Sequence, residues 1–425
     1  MSGQSIENDL IDGIREEYVN TPLKADKPIL IVTSFEPHSI VSASILCRAA
    51  FHAKHLFHVK FVNPIVQSSQ LLKIMEKNKN YANVLIGLDV ISDKDFENTL
   101  TFFSDGKETV PISLQIYGFA LEQLGVTEAD LGLSILGVHI ENESSKFADS
   151  LLAYGKELGV IQKRKGFKIP GTNHFTIVDA LSRCIHPYLD GLSGMESACE
   201  RLLEKSNIPL TKRSGTIDGL TVEEKKQLSA SLVTRLTPNI ISQILGTELE
   251  LLLEAPESPL RYLSGTKSIL KTVWSRKLFG LAMGVLLGDR GRILKKLQDV
   301  YKAHTTEVLD AHQETIVYLN SSDTTVDRIE DTLVAPTRIR SPLVLPDVSR
   351  ILLETSFGDA KSLILKGSDF ISFSWSNHKR SLSQVLRPFF EADLLPVATS
   401  SNSFMVSAEP EKDISKLQQI FHETG

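Results

Sequence analysis

The chain has 425 residues, more than one hydrophobic core ordinarily serves, so two or three domains are expected. Apolar residues make up 42% and charged residues 23%, the balance of an ordinary soluble globular protein. The net charge of −6 excludes a polycation, so any contact with nucleic acid has to come from a local basic strip. The three cysteines, Cys47, Cys184 and Cys199, form no CxxC pair, which argues against a structural zinc, and so sparse a set suits a reducing cytoplasm. No run reaches the roughly 18 apolar residues of a membrane span. The opening "MSGQSIENDLIDGIREEY" has neither the apolar core of a signal peptide nor the Arg-rich bias of a transit peptide, so a cytoplasmic protein is expected.

Taken in order, Ile6, Leu10, Ile14 and Val19 share one helical face over residues 5–19. "PILIV" then reads as a buried strand, and residues 41–54 as a helix with small residues on one side. "LFHVKFVNP" alternates as a second strand, "QSSQLLKIMEKNKN" is an amphipathic helix, and "NVLIGLDV" is a third strand. "PISLQIYGFALEQLG" predicts a helix ending at Gly125, and "TEADLGLSILGVHIEN" another, capped by Thr127 with acids in its first turn. Strands alternating with helices predict a parallel sheet covered on both faces. Residues 146–205 read as mostly helical, interrupted by the basic loop "KRKGFKIPGTNHF". Thr221 and Glu224 form a capping-box pattern, and residues 226–253 carry little strand signal. Helices are predicted from Lys267 to Leu319, in two halves that meet near Gly288-Asp289-Arg290-Gly291. From about Asn320 onward, strands mix with short helices as in a smaller α/β domain, and no internal repeat of 20–50 residues is visible.

The segments "ILIVTSFEPHSIVSASIL", "SDGKETVPISLQIYGFALEQLG", "DLGLSILGVHIE", "HPYLDGLSGMESACERLLEKSNIPL" and "GLAMGVLLGDRGRILKKL" come in an order that resembles the archaeal RecJ-like proteins of the DHH phosphoesterase superfamily. "FISFSWSNHKRSLSQVLRPFFEADLLPVATSSNSFMVSAEP" resembles their second, DHHA1 domain. The resemblance implies an α/β fold with a parallel-sheet DHH-like domain over residues 1–205, a helical insert and connecting helix over 206–320, and a smaller α/β DHHA1-like domain over 321–425.

It also implies what an active site would require. Nucleases of the family hold two hard divalent cations with carboxylate oxygens. Where they have an Asp-x-Asp-Gly turn, this sequence has Glu36, Pro37, His38 and Ser39. The next acid corresponds to Asp89, the Asp-His-His motif is absent, and His139 and Glu141 stand where a fourth acid is expected. The segment "VATSSNS" has neither glycine nor histidine where the family's second domain carries Gly-Gly-His. Glu36, His38, Asp89 and Glu141 are thus the positions of a degenerate metal site. They also suit an ordinary solvated turn, a helix cap and a helix end. On this reading no catalytic residue, metal or cofactor is expected. His174, His186, His304 and His312 show no metal spacing, and His52, His55 and His58 straddle a helix–strand junction.

With catalysis set aside, function rests on surfaces. The eukaryotic branch of the superfamily, that of cell-division-cycle protein forty-five, has lost the nuclease site and joins the GINS complex and the MCM hexamer in the replicative helicase. The chain resembles an archaeal counterpart of that branch, so GINS, MCM through it, and single-stranded DNA are the expected partners. Candidate nucleic-acid contacts are Lys163, Arg164 and Lys165, together with Trp375, His378, Lys379, Arg380 and Arg387, cations set beside an aromatic ring. Candidate partner contacts are Leu232, Leu236, Ile240 and Ile244, an apolar surplus in the insert, which would equally suit its core. A manganese-dependent 5′→3′ single-strand exonuclease and a regulatory subunit of a catalytic relative are the alternatives.

Overall fold

The computed structural model describes residues 27–91, 96, 99–103, 110–141, 146–321, 324–376, 382–392, 394, 396–400 and 402–407. The helix read over residues 5–19 lies outside them. The described residues gather into two compact units, one made of residues up to 162 with 251–253 and 277–297, the other of 163–250, 254–276 and 298 onward.

The first unit is built on β1 (Ile29–Ser34), β2 (Phe57–Val62), β3 (Ile65–Gln67), β4 (Ala82–Ile86), β5 (Asp89–Ile91) and β6 (Thr99–Phe102). A four-stranded parallel sheet runs in the order β2-β1-β4-β6, and β3 and β5 form a second, short parallel ladder. All six residues of β1 are buried, as a central parallel strand requires, which is why its sequence is apolar without alternation. On one face Ile29 and Ile31 meet Ala43, Leu46 and Ala50 of the helix Pro37–His52, and Met283 of the helix Phe279–Leu286 completes that core. On the other face Leu30 and Val32 pack with Val66, Leu71 and Leu85.

Small residues let the covering helices approach closely. Ser113 and Ser134 exchange hydroxyl-to-carbonyl bonds of 3.0 and 3.3 Å between the helices Ile112–Gln123 and Glu128–Glu141. Gly125, at φ 84°, ends the earlier helix as its sequence predicts. At the start of the later one, Thr127 donates its N–H and hydroxyl to Asp130 Oδ2, at 2.8 and 2.7 Å.

The second unit begins with a correction. The basic stretch read as a loop is β7 (Ile161–Phe167), paired with β8 (Leu245–Leu251), in a region read as having little strand signal. The capping box at Thr221 is present as read, at the start of the helix Val222–Val233. The helices Leu263–Arg276 and Arg292–Leu319 also follow the sequence reading. A six-stranded sheet closes the unit. It comprises β9 (Asp327–Ile329), β10 (Thr332–Pro336), β11 (Ser362–Lys366), β12 (Phe370–Trp375), β13 (Val397–Ser400) and β14 (Ser403–Ser407), in the order β13-β14-β12-β11-β10-β9. Its core joins Leu363, Leu365 and Leu333 to Val348, Ile351 and Leu352 of the helix Leu345–Thr355 and to Val308 of the long helix.

Candidate functional site

The turn from β1 into the helix Pro37–His52 lies where the parallel strands end, the usual ligand position in such a sheet. Pro37 sits at the first helical position, where its fixed φ suits the helix and its missing N–H costs nothing. The helix closes through Ile40 N–H to Glu36 O at 2.9 Å. Glu36 makes no capping bond through its side chain. Its carboxylate instead points toward Ser34 Oγ at 3.4 Å, with His38 Nε2 3.8 Å away. Burial raises the Glu36 carboxyl from 4.5 to about 7, against the opposing pull of Ser34, and lowers the His38 imidazole to about 4. Near neutral pH the His38 imidazole is therefore uncharged and the Glu36 carboxyl is only partly ionised.

Ser39 fills the space behind it. Its Oγ is buried without a hydrogen-bond partner. A Cβ placed on Gly87, just after β4, would come within 2.1 Å of that oxygen and 3.3 Å of Ser34 Oγ. Gly87 also holds φ 63°, so the end of β4 is seated on the turn through a glycine that permits both the conformation and the contact.

Asp89 follows two residues later at the start of β5, where its N–H donates to Pro64 O. Glu141 ends the helix Glu128–Glu141, which runs antiparallel to Pro37–His52. The register is fixed by Arg48, whose Nε donates to Asp130 Oδ1 at 2.6 Å, and by Gly137, whose added Cβ would stand 3.5 Å from Val41 Cγ1. Continued by one turn, that register brings Glu141 level with Pro37. Of the four candidate positions, Glu36 and His38 are brought together at this end of the sheet. Among the described residues, however, no group of three or more His, Cys, Asp or Glu side chains is arranged to hold a metal ion. A turn offering one carboxylate and one imidazole, with a hydroxymethyl group where close approach needs a glycine, does not fit two hard cations.

The other candidates separate. Lys163 and Lys165 are exposed on β7, but Arg164 between them is engaged internally, its guanidinium donating to both oxygens of Asp218 at 2.9 Å. Trp375 is corrected: at 2% exposure on β12 it is a core residue near Phe404 and presents no face for a base. His378, Lys379 and Arg380 lie outside the described residues, and Arg387 is exposed on the helix Leu382–Glu391. Leu232, Leu236 and Ile244 are corrected as well, since they are buried, and Ile240 is half-buried. The apolar surplus of the insert is its own core.

Sequence reading missed a polar knot in the second unit. Asp347 accepts bonds from His304 Nε2 at 2.9 Å and Ser275 Oγ at 3.0 Å, with His186 Nε2 at 3.3 Å and Arg350 Nη2 at 3.8 Å. Arg276 Nε donates to His304 Nδ1 at 2.8 Å, so the His304 proton resides on Nε2. Burial works against Asp347 ionising, but the His304 bond and the neighbouring His186 and Arg350 charges hold its carboxyl well below the usual range. These residues come from four separate stretches of the chain, around His186, Ser275, His304 and Asp347, whose spacing does not reveal the contact.

No family model matches the chain, and no curated protein matches it in sequence. Among solved structures, CDC45 from Entamoeba histolytica aligns over 100% of this chain and 99% of that one, with a TM-score of 0.65 and 12% identity. The chain carries the CDC45 fold. The α/β architecture expected from the sequence is therefore present. RecJ from Thermus thermophilus in complex with Mn2+ aligns over 99% of this chain and 54% of that one, at TM-score 0.49 and 11% identity. An exonuclease RecJ bound to manganese aligns over 98% and 94%, at 0.47 and 11%. In this CDC45-like chain no described helix is long and apolar enough to cross a membrane.

Proposed function

We propose that the chain is a non-catalytic scaffold of DNA replication that binds the GINS complex, reaches the MCM helicase through it, and contacts single-stranded DNA. The observation that carries this reading is the turn Glu36-Pro37-His38-Ser39. It stands where the family's nucleases present paired aspartates, yet it offers one carboxylate of raised pKa and a serine packed on Gly87. Likeness to CDC45 over nearly the whole of both chains supports the same reading at the level of fold. Exposed Lys163, Lys165 and Arg387 remain the candidates for backbone phosphates.

Incubated with an end-labelled single-stranded oligonucleotide and manganese, the purified protein leaves the strand intact, and immobilised protein retains GINS. Manganese-dependent degradation that disappears in Glu36→Ala or Asp89→Ala overturns the proposal in favour of an exonuclease. Intact DNA without GINS retention points to a regulatory subunit instead.

A further inference from the structure

The sheet of the first unit has an open edge. Among the described residues, β2 pairs only with β1. Phe51 and Leu56 flank the turn at Lys54 that leads into β2, and they are 70% and 78% exposed. Along the strand the side chains alternate. Phe57, Val59 and Phe61 are half-buried on the face covered by the helix Pro37–His52, whereas His58 and Lys60 are exposed on the other. The Phe279 ring stands 5.5 Å from that of Phe61, which leaves 57–60 as the open stretch. Residues 51–60 contain Lys54, Lys60, His52, His55 and His58 and no acid.

We propose that the β2 edge is a docking strand for an extended segment of a partner protein in which acidic residues alternate with apolar ones. The segment adds to the sheet by main-chain hydrogen bonds along 57–60, the usual mode of strand addition. The pleat then sorts its side chains. Those on one face lie beside His58 and Lys60, where carboxylates are favoured. Those on the other continue the surface of Phe57 and Val59 and cover Phe51 and Leu56. A lysine on an edge strand also discourages unwanted pairing. Protection alone does not explain two large apolar side chains left in water beside it. The proposal is independent of whether the Glu36 turn has any catalytic power.

The test titrates the full chain into a short fluorescent peptide in which glutamates alternate with valine and phenylalanine. Binding in the micromolar range is expected, weakening about tenfold between low and roughly 0.3 M salt as charge is screened. The double variant His58→Glu, Lys60→Glu weakens it at least tenfold, and Leu56→Ser several-fold, with thermal melting unchanged in both. A peptide with proline at its centre loses affinity, because a main-chain donor is gone. Three results overturn the proposal: no binding; equal binding of the proline peptide, which marks unspecific charge attraction; or binding only after residues 1–26 are removed, which assigns the edge to the chain's own acidic N-terminal segment.

Discussion

At Glu36 the physical situation of the turn can be measured as a proton equilibrium. The carboxyl titrates at about 7 in the folded chain against 4.5 when unperturbed, so between those values the folded state holds a proton that the unfolded state has released. Stability contributed by this group is therefore lost as pH rises from 4.5 through 7. Glu36→Gln should be more stable than the native chain at about pH 8, by on the order of 2 kcal/mol. The gap should close below about pH 4.5 in urea unfolding. Millimolar manganese should leave the gap unchanged. A rise in the native midpoint with manganese, absent from the variant, would mean that a cation is held there after all. The same scale separates what the sequence could and could not tell. Glu36 and His38 were legible as departures from a motif because the pattern is local. The burial of Trp375 was not, since a tryptophan near a basic run reads alike whether it faces solvent or Phe404.

Between elements, glycines and small polar residues decide how closely neighbours seat. Gly87→Ala has to carry φ 63° with a side chain and drive a methyl group into Ser39 Oγ, so a loss of about 2 kcal/mol or more is expected. In a Ser39→Ala background the same change should cost less, leaving mainly the backbone strain, and a double-mutant cycle in thermal unfolding reads the difference. The main parallel strands and their helices were legible because apolar runs and small-residue faces repeat at simple periods. β8 was not, for a definite reason: Glu248 and Glu250 occupy buried positions of "LGTELEL", the reverse of the usual alternation. Arg261 Nε compensates Glu250 at 2.7 Å, which a window of sequence around β8 does not contain. β7 hid in the same way, its inward Arg164 held by Asp218.

At the scale of the whole chain, sequence order and spatial grouping disagree. Residues 277–297 belong with the first unit although the second unit's chain lies on both sides of them. Met283 fills the core formed by Ile29, Ile31, Ala43 and Leu46, and its Sδ accepts from the Ser44 hydroxyl at 3.1 Å. A fragment ending at Gln162 should consequently melt less cooperatively and bind more of a hydrophobic dye than the full chain. Adding back a peptide of residues 277–297 should reverse part of both effects, and an unchanged melt without it would refute the assignment. The architecture was legible from motif order, but this interleaving was not, because nothing in "GLAMGVLLGD" names the strands it will cover. On the ribosome the sheet is complete long before its last filler emerges. Between Phe102 and Met283 translation runs for roughly 10–40 s at ordinary elongation rates. Through that interval a greasy socket beside β1 stands ready for whichever sticky sequence arrives first, and a holding chaperone is the obvious tenant.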